Sequence, residues 1–128
     1  MSEKKRILVV DDEPDFCSIV QGQLEKEGFE VEVAYNGVEG LEKVHASPPD
    51  AIVLDVMMPE MDGYEVCKKL KADENCVDIP IILLTAVASH VTSTRYSHRD
   101  GMSTEADDYI AKPASAEEIS ASIKRLLD

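Results

Sequence analysis

With 128 residues and 44% hydrophobic content the chain suits one domain around a single core, and 26 acidic against 13 basic residues give it a formal charge of −13. So acidic a surface repels phosphate backbones, and no direct nucleic-acid partner is expected. No apolar stretch approaches the roughly 20 residues of a membrane span, so a cytoplasmic location without a membrane partner is expected.

Lys4-Lys5-Arg6 reads as a solvated approach to a first strand near residues 6–10. Its apolar part, Ile7–Val10, is too short for a secretory segment and runs straight into Asp11-Asp12. The spacing predicts a helix over Pro14–Lys26, with Phe16, Ile19, Val20, Gln23 and Leu24 at helical intervals and Gly28 as its stop. A second strand is expected near residues 30–34, then a helix over Gly37–His45 with Val38, Leu41 and Val44 on one face, halted by Pro48-Pro49. The third strand, near residues 51–54, is an unbroken apolar run that ends in Asp55, as a buried parallel strand does. After a loop holding Pro59 and Gly63, Tyr64–Lys71 carries Val66, Cys67 and Leu70 as a third helix.

Strands near residues 80–84 and 107–110 enclose the poorest stretch, Ala88–Glu105. It is rich in Ser, Thr and His, its stripe of Val91, Arg95 and Met102 is broken by Gly101, and a short, frayed or displaced fourth helix is expected. The last helix opens with Ser115 three residues before Glu118, a capping-box spacing, and Ile119, Ile123 and Leu126 form its stripe. Cys17, Cys67 and Cys76 are odd in number and lack C-x-x-C spacing. Cys17 and Cys67 fall at core-facing positions, and reduced thiols are expected. Alternating strands and helices define an α/β fold of βαβ units on a parallel sheet.

In open α/β sheets, ligands bind beyond the carboxyl ends of the strands. The first strand delivers Asp11 and Asp12 there and the third delivers Asp55. Three ionised carboxylates in one place repel one another, so pKa values rise or a cation binds; oxygen donors of this kind suit Mg²⁺. Helix capping by Asp11 and Asp12 is the plainer alternative, weakened by the third acid at another strand end. Ile81–Leu84 runs into Thr85-Ala86, and Tyr109-Ile110-Ala111 leads to Lys112-Pro113, adding a hydroxyl and an ammonium to the same edge. A carboxylate that attacks phosphorus, with cations and a hydroxyl to hold the equatorial oxygens, is equipment for accepting a phosphoryl group.

These residues resemble the receiver domain of two-component response regulators. The match rests on Asp11-Asp12, Leu54-Asp55 with Met58-Pro59 and Asp62-Gly63, Thr85-Ala86, and Asp107-Asp108-Tyr109 ahead of Lys112-Pro113, and it covers residues 1–128 as a single receiver domain. The resemblance implies a doubly wound, flavodoxin-like (βα)5 fold with a five-stranded parallel sheet of order 2-1-3-4-5, the order of chemotaxis receivers. It implies that Asp55 is the phosphoacceptor, loaded from a phosphohistidine on a sensor histidine kinase or histidine phosphotransfer protein. It further implies Mg²⁺ held by Asp12, Asp55 and the main-chain carbonyl of Met57, with Asp11 acting through water. Lys112 would pair with the phosphoryl oxygens, Thr85 would swing towards them, and Tyr109 would change rotamer. The readout to a downstream target protein would lie on the fourth helix, fifth strand and fifth helix. The Lys112-Pro113 bond is expected to be cis. A phosphorylation-dependent dimer is one expected state.

Departures from the family pattern gather on that output face. The interval from Thr85 to Lys112 is several residues longer than usual, Glu105-Ala106 replaces Gly-Ala, and Ala114 replaces a Phe; an unusual docking loop is expected. Met57 and Val87, flanking the path of the hydrolytic water, are apolar, so slow self-dephosphorylation is expected. His45, His90 and His98 lack paired spacing and read as ordinary exposed histidines. A haloacid-dehalogenase-like phosphohydrolase needs a second aspartate where Met57 stands, and a flavodoxin-like nucleotide binder needs glycines where the first loop has acids. A degenerate receiver binding without phosphate is disfavoured because Asp11, Asp12, Asp55, Thr85 and Lys112 are all present. Met1 reads as a natural start, and the chain suits a stand-alone regulator, a phosphorelay component or a module of a longer protein.

Overall fold

Apolar runs with no polar alternation need cover on both faces, and the computed structural model, which describes residues 4–58, 61–86 and 106–127, gives them that cover. Strands β1 (Arg6–Val10), β2 (Glu30–Ala34), β3 (Ala51–Asp55), β4 (Ile81–Ala86) and β5 (Asp108–Lys112) form one sheet. Its order is β2-β1-β3-β4-β5 and every pairing is parallel. Helices α1 (Pro14–Lys26), α2 (Gly37–Ala46), α3 (Gly63–Lys71) and the C-terminal α4 (Ala116–Leu127) complete the described elements. The fold is the expected flavodoxin-like α/β class. The expected helix over 88–105 lies outside the described residues, as do Val87, His90, His98 and most of the expected docking loop.

The pleat of the sheet sorts the core into two layers. Leu8, Val10, Ile52, Leu54, Ile81 and Leu83 point to one face, where Val44 of α2 and Val66, Cys67 and Leu70 of α3 meet them. Ile7, Val9, Val31, Ala51, Val53, Ile82 and Leu84 point to the other, against Cys17, Val20 and Leu24 of α1 and Ile119 and Ile123 of α4. The three cysteines are buried and form no disulfide. Two stripe positions were misassigned by spacing: Ile19 is 64% exposed and Val38 45% exposed. Five apolar-compatible positions in α1 span more than one face, and Cys17 rather than Ile19 turns inward.

Local chemistry fixes the helix ends. Gly28 takes φ 98°, its N–H donates to the Glu25 carbonyl at 3.1 Å, and the Phe29 N–H reaches the Leu24 carbonyl at 3.0 Å. That is a Schellman stop, which favours glycine because a Cβ is strained at positive φ. The capping box forms in both directions at α4: the Glu118 N–H donates to Ser115 Oγ and the Ser115 N–H to Glu118 Oε1, each at 3.0 Å. α1 differs. Its N-cap is Glu13, without a side-chain cap, so neither Asp11 nor Asp12 serves as one.

Candidate functional site

β1, β3 and β5 end at the same edge of the sheet, with β4 between β3 and β5, and the parallel register brings their terminal polar residues towards one place. Asp55 closes β3 and is 1% exposed; Asp11 follows β1 and is fully buried; Asp12, next along, is exposed. Donor oxygens of the three lie within 4.8 Å of one another. Lys112, the last residue of β5, reaches across β4 and β3 to them. Its Nζ stands 3.2 Å from Asp55 Oδ1 and 3.4 Å from Asp11 Oδ2. The Lys112-Pro113 bond is cis, as expected.

Burial is the main electrostatic fact. It pushes the Asp55 carboxyl up from 3.8 to about 6; Asp11 adds to this, while the Lys112 ammonium and the Met57 N–H oppose it. Asp11 is likewise raised, first by burial, against the pull of its hydrogen bond from the Glu13 N–H and of Lys112. Burial works to lower Lys112, but the carboxylates of Asp55 and Asp11 outweigh it and the ammonium is held above its usual range. Three ionised carboxylates beside one ammonium leave an excess of two negative charges. A divalent cation would balance that excess, and hard oxygen donors fit Mg²⁺.

The walls of the pocket are close. The Met57 N–H donates to Asp55 Oδ1 at 3.3 Å, while the Met57 side chain is 65% exposed. A Cβ on Gly63 would sit 2.4 Å from the Asp55 carbonyl oxygen and 2.8 Å from Val56 Cα, so only glycine lets α3 start against the end of β3. Asp62 caps that start by accepting from the Glu65 N–H at 2.9 Å. Behind Asp11, Cys17 Sγ donates to its carbonyl at 3.3 Å; burial, with Asp11, Asp12 and Asp55 nearby, pushes the thiol up to about 12, so it is no nucleophile. The Phe16 ring lies 5.4 Å from Lys112 Nζ, a cation–π contact that adds to the placing of the ammonium.

Two expected site residues stand a little apart. Thr85 is half-buried on β4, one step past Leu84, the register partner of Asp55, and pairs with Ala111. Tyr109 is on β5 and 39% exposed, on the surface rather than in the pocket. Roles missed by motif reading belong to its neighbours. Asp107 accepts from the Ile81 N–H at 2.8 Å and from Lys71 Nζ at 3.3 Å, fixing the start of β4. Asp108 accepts from Ser122 Oγ at 2.5 Å and from Arg125 at 2.6 Å, docking α4 on β5. Asp-Asp before an aromatic was the available signal, read only as family pattern. Phe16 and Cys17 had no signal beyond helical spacing.

A doubly wound sheet with buried carboxylates and a lysine at its carboxyl edge is the arrangement of a signalling receiver. The chain belongs to the response regulator receiver domain family, which it matches over residues 7–124. Domains of this family are signalling switches rather than classical enzymes, and phosphorylation and Mg²⁺ are general features of the family. The chain is 42% identical over 123 residues to the alkaline phosphatase synthesis transcriptional regulatory protein PhoP of Bacillus subtilis (96% of this chain, 48% of that protein). It is 38% identical over 122 residues to the DNA-binding dual master transcriptional regulator RpaA of Synechocystis (95% and 48%). The solved chemotaxis response regulator CheY4 of Vibrio cholerae superposes with a TM-score of 0.85 at 30% identity, covering 98% of this chain and 100% of that one.

The chain spans about half the length of the curated relatives it matches. Those relatives overturn the expectation of no nucleic-acid partner, because they are transcriptional regulators and one is DNA-binding. The charge argument failed for a physical reason. A count over 128 residues describes the surface of those residues, not the reach of proteins about twice as long. No helix among the described residues is long and apolar enough to cross a membrane.

Proposed function

We propose that residues 1–128 work as one receiver unit in which Asp55 accepts a phosphoryl group from a phosphohistidine on a sensor kinase or phosphotransfer protein. The observation that carries this is the Lys112 ammonium set 3.2 Å from Asp55 Oδ1 and 3.4 Å from Asp11 Oδ2 at the carboxyl edge of the sheet. In the transfer, a carboxylate oxygen of Asp55 forms the new P–O bond as the P–N bond to the donor imidazole breaks, and the electron pair of that bond stays on the imidazole nitrogen. Lys112 neutralises charge on the transferring oxygens and the Thr85 hydroxyl donates a hydrogen bond to one of them. Asp12 and Asp55, with the Met57 main-chain carbonyl, would hold Mg²⁺ directly and Asp11 through water; when bound, the ion supplies countercharge to the phosphoryl oxygens.

Phosphorylation adds charge and acceptor oxygens at the edge where β4 and β5 end. Thr85 moves to satisfy them, Tyr109 changes rotamer, and the β5–α4 surface carries the change outward, a shift between two packings. The relatives support a nucleic-acid-binding output under this control, since PhoP and RpaA are transcriptional regulators. The exposed, apolar Met57 side chain cannot orient a water, which supports slow self-dephosphorylation.

Intact-mass spectrometry after incubation with acetyl phosphate tests the reading. A single phosphoryl adduct that requires Mg²⁺, is absent from Asp55→Asn and decays slowly is expected. An adduct that survives Asp55→Asn would overturn the assignment of the acceptor, and rapid decay would overturn the slow lifetime.

A further inference from the structure

A second cluster of metal-ligating groups lies outside the pocket, and it includes His45, which is exposed as expected but set beside two further donor residues. His45 stands in the last turn of α2, while Asp73 and Cys76 belong to the turns that follow α3. Asp73 Oδ2 lies 3.2 Å from His45 Nε2 and 3.7 Å from Cys76 Sγ, and one donor atom from each residue lies within 4.8 Å of the others. Bond lengths of about 2.0–2.3 Å around a tetrahedral ion set its ligand atoms roughly 3.3–3.6 Å apart, a range that the two measured gaps bracket. We propose that His45, Asp73 and Cys76 form a zinc site with water in the fourth position.

Hydrogen bonds within the turn build the scaffold of the site. The Asp73 N–H donates to the Leu70 carbonyl at 3.2 Å, the Cys76 N–H to the Asp73 carbonyl at 2.8 Å and the Ile79 N–H to the Cys76 carbonyl at 3.0 Å. Lys71 Nζ donates to the carbonyls of Val77 and Ile79 at 3.0 and 3.1 Å and pins the same turn. Asp73 and Cys76, three residues apart in this helical turn, therefore offer their donors on one side, facing the end of α2. Cys76 is buried at 1% exposure, whereas the His45 side chain is 57% exposed and that of Asp73 30%, so the cluster opens to solvent on one side and gives an ion a way in.

Donor chemistry sorts the two clusters. Thiolate and imidazole select Zn²⁺ over Mg²⁺, whereas an all-carboxylate pocket suits Mg²⁺. The apo state is the protonated thiol, since burial, with Asp73 beside it, pushes Cys76 up; zinc binding displaces that proton. An occupied site would tie the end of α2 to the turn after α3.

The test is a Zn²⁺ titration by calorimetry on the whole chain with excess Mg²⁺ present, alongside a Co²⁺ titration followed by ultraviolet absorption to read thiolate-to-metal charge transfer. One zinc per chain is expected, with the charge-transfer band, and both are expected to persist in Asp12→Asn. Cys76→Ala and His45→Gln are each expected to weaken binding roughly 100-fold or more, given that even residues behind the ligands are worth about 10–100-fold. His45 is exposed, so its variant tests the site without disturbing the core. No zinc bound beyond that lost in Asp12→Asn, or wild-type affinity in His45→Gln, would overturn the proposal.

Discussion

Carboxylates at the carboxyl edge of the sheet and carboxylates on the flank of α4 show opposite physics. Asp55 and Asp11 are buried, and burial drives both carboxyl groups up, Asp55 from 3.8 to about 6. Glu27, at the end of α1, is instead lowered from 4.5 to about 2 by hydrogen bonds from Lys124, Ser120 and Gln23. Burial also opposes ionisation of Asp108, but the hydrogen bonds from Ser122 and Arg125 outweigh it and the group is lowered. Acids on the flank tie α4 to α1 and β5 and contribute to stability. The pocket acids cost stability when they ionise with no cation to balance them. A site poised for chemistry is thus recognisable as the place where ionisation works against the fold.

The largest expected effect comes from removing the close approach on which the pocket is built. Gly63→Ala would place a Cβ 2.4 Å from the Asp55 carbonyl oxygen, a backbone atom with no freedom to rotate away. Urea unfolding is expected to show a loss of about 3 kcal/mol. Wild-type stability would mean that the contact between α3 and β3 is slack and that the pocket does not depend on it.

The next effect separates the two kinds of acid. A raised folded-state pKa contributes stability that is full below the ordinary value and is lost as pH rises through the folded value. For Asp55 that window runs from 3.8 to about 6. In the metal-free protein the loss on crossing it is about 2 kcal/mol, after allowance for coupling to Asp11. Asp55→Asn is expected to flatten the stability profile across that window and to be more stable than wild type at neutral pH. Equal slopes in the two proteins would remove the contrast.

Glu27 gives the smallest effect, with the opposite sign. Its lowered pKa contributes stability that is present above 4.5 and lost as pH falls towards about 2. Glu27→Gln is expected to cost a little stability at neutral pH and to converge with wild type in acid, because the Lys124 end of the pair is exposed and screened. A large loss would show that the α1–α4 contact rests on this residue rather than on Leu24, Ile119 and Ile123.

Much of this was legible in the residues. Unbroken apolar runs ending in Asp11-Asp12 and Asp55 set the strands and the site edge, because a buried parallel strand leaves no polar alternation to confuse with a helix. The pair Ser115 and Glu118 read as a cap because both partners of that motif lie within one turn. Long-range pairings were not legible. Nothing local says that Phe16 lies under Lys112, or that packing α2 beside α3 brings His45 to Asp73 and Cys76. Ile19 was misread because helical spacing defines a stripe but not which of two adjoining stripes faces inward. The expectation of no nucleic-acid partner failed because composition describes a surface, not the transcriptional regulators, about twice as long, that this chain resembles.

The most direct measurement is an NMR titration of the Asp55 carboxyl carbon in metal-free protein and again with saturating Mg²⁺. An apparent pKa near 6 without the ion, falling well below it with Mg²⁺, is what a buried pocket short of positive charge predicts. Titration near 3.8 that ignores Mg²⁺ would contradict the account: Asp55 would then be an ordinary solvated carboxylate with nothing stored for phosphoryl transfer.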